Sequence, residues 1–194
     1  MARHRKNGLS FYRQKKTVNV ALIKEILAWM IEIVITIAIA FTAIYFAGLR
    51  TSVVGQSMSA TLSSGDEVLI NRFIYKMTDP KPGDIIVFLP NGNEKSHYYI
   101  KRVIAVPGDT VRILDGEVYV NGAPYAEQTD VDAIEDAGLA EEEIVLGNDE
   151  FFVLGDNRNN SEDSRYANIG NIKKKYIIGK VWFRVSPWSE FGFL

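Results

Sequence analysis

The 194-residue sequence contains no cysteine. Disulfides, thiolate metal sites and thiol nucleophiles are therefore excluded, and the chain can work on either side of a membrane. Lys and Arg are also absent from residues 113–157, whereas six of them lie within the first 16 residues, where there is no acid. On a chain with a net charge of only −2, this uneven distribution indicates a membrane topology rather than nucleic acid binding.

A long hydrophobic run follows the basic N-terminus. Between Ile26 and Leu49 only Glu32 is charged, and the run has the ~20 apolar residues needed to cross a ~30 Å hydrocarbon core. The Lys and Arg cluster before it favours a cytoplasmic N-terminus. A cleaved signal peptide or a buried soluble helix is the alternative, although the run ends too late for a typical signal peptide. The predicted units are a cytoplasmic tail (1–21), a transmembrane anchor helix (22–49) and an extracytoplasmic domain (50–194).

Short β-like runs separated by turn residues follow the predicted anchor. Strands are predicted at residues 67–71, 85–89, 97–106, 111–114, 118–120, 151–154 and 176–185. Asp115-Gly116 between two apolar runs predicts a hairpin turn. The pattern predicts a mostly β domain with an antiparallel, barrel-like or sandwich-like architecture. Residues 122–147 differ, and predict a small acidic insertion with a short helix and a loop on a solvated face.

Ser57 and Lys101 are the candidates for nucleophilic catalysis. A serine hydroxyl is a poor nucleophile until a base removes its proton. Lys101 lies among aromatic and aliphatic residues on a predicted strand, where burial would lower its pKa. A depression of two or three units would cost the fold roughly 3–4 kcal/mol, and Ser–Lys pairs are a known alternative to the triad. The alternatives are a polar turn, a solvated lysine, and a triad that uses His97.

Residues 155–165 form a polar segment rich in side chains that stabilise turns. A calcium-binding loop is the obvious alternative. It fits poorly, because Arg158 stands at the third ligand position and Ser161 replaces the glycine expected at the sixth. We therefore predict no metal site, and a rigid scaffold that holds a catalytic base in place.

Four ordered segments resemble the conserved boxes of bacterial type I signal peptidases. They are residues 57–62 (SMSATL), 65–72 (GDEVLINR), 101–109 (KRVIAVPGD) and 155–165 (GDNRNNSEDSR). A single predicted anchor resembles the Gram-positive form of the family. The resemblance implies a mostly β catalytic domain, a membrane-bound serine endopeptidase activity without a cofactor, and a catalytic domain outside the cell.

The resemblance also implies roles for individual residues. Ser57 would be the nucleophile, Lys101 the general base, and Ser161 the residue that orients the lysine amine. The structural residues would be the ion pair Asp163 and Arg165, and the loop-shaping Asp156 and Arg158. The backbone N–H of Ser57 would be one oxyanion donor, whereas Gly55 stands where some relatives carry a second donor, a serine. Ala60 stands where a proline is common in the family.

The expected substrates are secretory preproteins cleaved after small residues in an A-x-A-like pattern. The shallow apolar pockets are predicted to be lined by Val53, Met58, Leu62, Tyr99 and Ile100, with core packing as the alternative for each. The lipid bilayer is an expected partner, the secretion translocon a further one, and the C-terminal aromatic residues are candidates for contact with lipid headgroups. A catalytically silent anchored binding domain and a self-cleaving Ser–Lys protease are the other hypotheses.

Overall fold

The computed structural model describes residues 19–194 except residue 94, without the side chains of residues 43–47. Most of the predicted cytoplasmic tail lies outside these residues. The described part of the chain divides into two compact units, with the boundary between residues 42 and 43.

Helix α1 (Val20–Ala47) confirms the prediction of a helix in the hydrophobic run. The helix begins where the side chain of Asn19 accepts hydrogen bonds from the backbone N–H groups of Ala21 and Leu22, as an N-cap residue does. The prediction of a transmembrane anchor is not confirmed. Among the described residues, the structure contains no helix with both the length and the apolar character that crossing a membrane requires. The helix includes three charged side chains, Lys24, Glu25 and Glu32, and charge inside a membrane is costly.

The remainder is mostly β, and the antiparallel prediction is confirmed. The strands are β1 (Leu49–Ser52), β2 (Glu67–Asn71), β3 (Ile85–Phe88), β4 (Tyr99–Ala105), β5 (Thr110–Leu114), β6 (Glu117–Val120), β7 (Ala123–Pro124), β8 (Ile144–Val145), β9 (Glu150–Leu154), β10 (Ile172–Lys173), β11 (Ile177–Ser186) and β12 (Gly192–Phe193). A short helix α2 (Ile74–Met77) follows β2. Four 3₁₀ helices complete the described structure, at Pro90–Gly92, Gly138–Glu141, Lys174–Tyr176 and Trp188–Glu190.

An eight-stranded sheet carries the candidate site. Its strand order is β1-β2-β11-β3-β4-β9-β10, with β12 paired to β11. Every residue of the apolar strand β3 is buried, and so are residues 101–105 of β4, which include the charged residues Lys101 and Arg102. In the antiparallel register, Lys101 pairs with Ile86 and Arg102 with Ile85. Two consecutive cations therefore enter the interior on opposite faces of a central strand.

A four-stranded sheet of order β7-β6-β5-β8 lies within the same compact unit. The predicted hairpin joins β5 to β6, and Asp115 and Gly116 have φ values of 51° and 83°. Two consecutive left-handed residues are what a type I′ turn requires. Val111, Ile113 and Val118 pack in one buried cluster with Phe152 and Leu154 of β9, which joins the two sheets through apolar contact.

The acidic insertion contains two short strands and buried apolar residues that were not predicted. Residues 122–147 contain β7, β8 and one short helix, the 3₁₀ helix Gly138–Glu141. Ile134 and Ala140 are buried in the cluster beneath the four-stranded sheet. The acids are exposed, whereas Ile134, Ala140 and Leu146 pack inward, so the segment is only partly solvated.

The C-terminal aromatic residues form a cluster at the surface. The ring of Phe183 lies edge-on to Phe191 and Phe193, with centroid distances of 4.7 and 5.1 Å. Trp188 and Phe193 nevertheless expose 82% and 80% of their area. These two side chains are therefore not core residues.

Candidate active site

The turn that carries Ser57 is held by two buried apolar side chains. Met58 and Leu62 are buried in the cluster that includes Val53 and Val68. The backbone N–H groups of Thr61 and Leu62 both donate to the carbonyl of Met58, which fixes the shape of the turn. Ser57 itself is only partly buried. The apolar anchors thus hold the hydroxyl at the edge of the core, where a substrate can reach it.

Ser57 and Lys101 meet directly. Nζ of Lys101 lies 2.5 Å from Oγ of Ser57, although 44 residues separate them in sequence. This is hydrogen-bonding distance, and it is the geometry that proton transfer from the hydroxyl to the amine requires. The two side-chain tips that the sequence singled out are therefore brought together.

Lys101 is held in a desolvated position. Only 3% of the residue is exposed, and no carboxylate in the described part of the chain lies within ion-pairing distance of its amine. Burial lowers the pKa of Lys101 from 10.5 to about 8, against the opposing charges of Asp163 and Glu162. Roughly a tenth of the molecules would then carry a neutral amine at pH 7, enough for a working base.

A second loop, residues 155–165, packs against the Ser57 turn. The backbone N–H of Asn157 donates to the carbonyl of Ser57 at 3.0 Å. The amide of the same residue donates to the carbonyl of Gln56 and to Oγ of Ser59. Gly155 permits this close approach, because a Cβ there would lie 2.4 Å from the carbonyl oxygen of Ser57. The role of Asn157 was missed in the sequence, where it was one of several turn-forming residues.

Three buried arginines stabilise this loop and the strand beside it. Arg165 donates to both carboxylate oxygens of Asp163, and both side chains are almost fully buried. The arrangement agrees with the ion pair that the family resemblance implied. The carboxylate of Asp163 also accepts from the backbone N–H of Gly155 at 3.1 Å, so the pair fixes both ends of the loop.

The partners of Asp156 and Arg158 were not predicted. Asp156 receives two hydrogen bonds from Arg102, at 2.8 and 2.7 Å. Arg158 donates in a bidentate manner to Glu127, at 2.7 and 2.6 Å. No local sequence pattern links these pairs, because 54 and 31 residues separate their members. Glu127 belongs to the acidic insertion, which therefore supplies a counter-charge to the loop beside the candidate site.

The hydroxyl of Ser161 is placed near the site, but without the expected contact. Its Oγ is buried and has no hydrogen-bond partner among the described residues. It lines the same cavity as Ser57 and Lys101. The orienting contact with the lysine amine is therefore absent from this structure.

A cavity of about 1050 Å³ opens beside the Ser57–Lys101 contact. Of the predicted pocket residues, Val53, Met58, Tyr99 and Ile100 line it. Leu62 does not: it is completely buried in the core cluster beneath the turn. Its side chain follows the helical-type turn inward, and the sequence alone did not show this direction. His97 also lines the cavity, but no hydrogen bond joins it to Ser57 in the described structure.

Hydrogen-bond donors for a substrate oxyanion are few in the described part of the site. Within the described structure, the backbone N–H of Ser57 donates to no other residue, so it is available to a substrate oxygen. Gly55 has a φ of +93° and offers no side-chain donor. Ala60 is exposed and does not line the cavity.

In this antiparallel β domain, a serine hydroxyl contacts a desolvated lysine amine beside an open cleft. This arrangement is typical of a serine peptidase. Comparison with known proteins agrees with this class. The family model described as "Signal peptidase, peptidase S26" matches residues 26–188, and the chain belongs to this enzyme family.

Two relatives support the same assignment by sequence. Signal peptidase IB of Staphylococcus aureus (strain COL) is 37% identical over 183 residues, covering 87% of this chain and 93% of the relative. Signal peptidase I P of Bacillus subtilis subsp. natto is 34% identical over 165 residues, covering 79% and 85% respectively. A crystal structure of a signal peptidase I from Enterococcus faecalis V583 is 29% identical, with a TM-score of 0.41 over 54% of this chain and 97% of that one.

Proposed function

We propose that this protein is a serine endopeptidase that removes N-terminal signal peptides from secreted precursor proteins. Ser57 is the nucleophile and Lys101 the general base. The observation that carries the proposal is the 2.5 Å contact between the hydroxyl and a buried amine whose pKa is lowered to about 8. Relatives named signal peptidases, similar over most of the chain, support the substrate class.

The chemistry follows from the protonation states of the two groups. The neutral amine of Lys101 accepts the proton of Ser57 as Oγ attacks the scissile carbonyl carbon. The resulting tetrahedral oxyanion accepts a hydrogen bond from the backbone N–H of Ser57. The C–N bond then breaks, and the ammonium of Lys101 donates its proton to the departing amine. A water molecule, deprotonated by the same lysine, hydrolyses the acyl-enzyme and restores Ser57.

The supporting residues keep this contact in register. Asp163 and Arg165 fix the loop whose Asn157 holds the carbonyl of Ser57. Asp156 and Arg158 join that loop to β4 and to the insertion. Ser161 stands at the cavity with a free hydroxyl, and a rotation toward the amine on substrate binding would supply the orienting contact.

The substrate binds as an extended strand in the cavity lined by Val53, Met58, Tyr99 and Ile100. These side chains leave shallow apolar pockets, which favour small residues in the A-x-A-like pattern before the cleavage site. Tyr99 and Ile100 belong to β4, and β9 pairs with β4 only from Arg102 onward. Backbone hydrogen bonds between the substrate and this part of β4 are therefore the expected mode of recognition.

The enzyme works in association with the bacterial cell membrane. Apolar side chains occur on all sides of α1, an arrangement that favours an apolar environment over water. Trp188 and Phe193 expose large aromatic surfaces, of the kind that contacts lipid headgroups. A single pass with a cytoplasmic N-terminus remains a prediction from the charge distribution, and the translocon remains an expected partner.

One cleavage assay tests the proposal. The full chain in detergent is mixed with a precursor that carries an Ala-x-Ala site, and the Ser57→Ala variant is compared with Ser63→Ala. Ser63 lies on the same turn region, and its hydroxyl is exposed. Cleavage after the second alanine, abolished in Ser57→Ala and retained in Ser63→Ala, is expected. Full activity of Ser57→Ala, or no cleavage of any precursor by the wild type, would refute the proposed function.

A further inference from the structure

The cavity beside Ser57 and Lys101 contains one carboxylate. Among the described residues that line it, Glu162 is the only acid. The other acids near Lys101 are already neutralised by buried arginines, since Asp163 pairs with Arg165 and Asp156 with Arg102. Glu162 is exposed, and no cation lies within ion-pairing distance of it in the described part of the chain.

Glu162 is held at the cavity by Tyr99. The phenol of Tyr99 donates to the carboxylate of Glu162 at 3.3 Å. Tyr99 lies two residues before Lys101 on β4, and its ring lies 5.7 Å from the lysine amine. Burial, and then the charge of Glu162, raise the pKa of the Tyr99 phenol, so the phenol stays a hydrogen-bond donor. The contact holds the exposed carboxylate at the lining of the cavity.

From this arrangement we infer that Glu162 selects substrates by charge, favouring a basic side chain and disfavouring an acidic one close to the scissile bond. The inference rests on the proposed function, because it assumes that substrates occupy this cavity. In the reactive form Lys101 is neutral, so the carboxylate of Glu162 is the remaining formal charge of the cleft. A cation on the substrate would approach it without competition from a protein cation.

The same charge acts on the base. Among the charged groups around Lys101, Asp163, Glu162 and Asp156 raise the pKa of its amine, whereas Arg165 and burial lower it. Loss of the Glu162 charge therefore lowers the pKa of Lys101 further. The acid limb of the pH profile should move to lower pH, a change that a purely structural role would not produce.

The experiment uses the full chain and three precursors. The precursors differ only in one residue next to the Ala-x-Ala site, which is Lys, Gln or Glu. The variant Glu162→Gln removes the charge but keeps an acceptor for Tyr99. Tyr99→Phe keeps the charge and removes the hydrogen bond. Glu142→Gln is the matched control, because Glu142 is an exposed acid that does not line the cavity.

The wild type should cleave the Lys precursor about two- to fivefold faster than the Glu precursor in kcat/KM, the effect of an exposed ion pair. The ratio should fall to about one in Glu162→Gln and at high salt, with an intermediate value in Tyr99→Phe and no change in Glu142→Gln. An identical ratio in the wild type and Glu162→Gln would overturn the inference. If Ser57→Ala is inactive in the same assay, that result leaves the proposed function intact; an active Ser57→Ala would instead refute the proposed function.

Discussion

The two faces of β4 provide different environments for two neighbouring basic residues, Arg102 and Lys101. Arg102 is buried against Asp156, which receives two of its hydrogen bonds. Burial alone would lower the pKa of Arg102, but the hydrogen bonds and charge of Asp156 outweigh it and raise the pKa. Lys101, on the opposite face, is equally buried and has a serine hydroxyl instead of a carboxylate. Its pKa falls to about 8.

The difference shows how one strand provides both a structural and a reactive cation. A buried charge stays charged when an opposite charge and hydrogen bonds replace its water, and shifts toward neutrality when they do not. The Arg102 face therefore contributes order to the loop of residues 155–165. On the Lys101 face, no opposite charge among the described residues compensates for burial. The fold is therefore less stable, and the amine is more readily neutral.

The largest expected effect is on the reactive face. Lys101→Met should lower kcat/KM by about 10²–10⁴-fold, the usual contribution of a general base. Below pH 8 the variant should also be more stable, by about 3 kcal/mol, because it no longer carries a desolvated ammonium. The folded-state pKa is depressed from 10.5 to about 8, so this gain disappears as the pH rises from 8 to 10.5.

Urea unfolding at pH 7 and pH 11, with cleavage kinetics on the same samples, would check both statements. Lys101→Arg is a useful companion, since a guanidinium stays protonated and cannot serve as the base. Substantial activity in Lys101→Met would mean that Lys101 is not the general base.

The next effect belongs to the structural face and has the opposite sign for stability. Asp156→Ala should destabilise the fold by about 3–5 kcal/mol, because it leaves Arg102 buried without a counter-charge. The double variant Arg102→Met with Asp156→Leu should recover most of this loss, since apolar replacement of a buried pair is often neutral. Denaturant unfolding midpoints at constant m-value would measure these changes in the free energy of unfolding. A small loss of stability in Asp156→Ala would contradict the role assigned to the pair.

The pH dependence of wild-type activity tests the role of Lys101 without a mutation. Because only the neutral amine accepts a proton, kcat/KM should rise with pH and level off above about 8, the pKa of Lys101. The rise between pH 6 and pH 9 would be roughly 100-fold. Initial rates across this range would show it. A profile that is flat between pH 6 and pH 9 would exclude Lys101 as the titrating base.

The smallest predicted effect concerns Glu127, at the outer edge of the structural side. Glu127→Gln should destabilise the protein by about 1–3 kcal/mol, because Arg158 is buried, with 2% of its side chain exposed, and loses its charged partner. The loss is smaller than at Asp156, since 27% of the Glu127 side chain is exposed and water can compensate. Thermal unfolding, with Glu142→Gln as a control within ±0.5 kcal/mol, would test whether the insertion supports the loop.

Much of the β domain was readable from local patterns. The runs at residues 85–89 and 151–154 predicted strands, and Asp115-Gly116 predicted its turn, because these signals depend on neighbouring residues alone. The buried residues of the insertion were not predicted, because their burial depends on distant parts of the chain. Its acids dominate the composition, whereas Ile134 and Ala140 are buried by strands that lie elsewhere in the sequence.

The chain's sequence by itself determined the candidates: a serine on a small-residue turn, a lysine on an apolar strand, and a polar loop with paired charges. Only the tertiary structure decided which of them meet. The 2.5 Å contact between Ser57 and Lys101, the pairing of Arg102 with Asp156 and of Arg158 with Glu127, and the inward direction of Leu62 all depend on strand register and loop packing. Residues far apart in sequence are brought into contact by burial of the sheet, and short-range spacing carries no information about that packing.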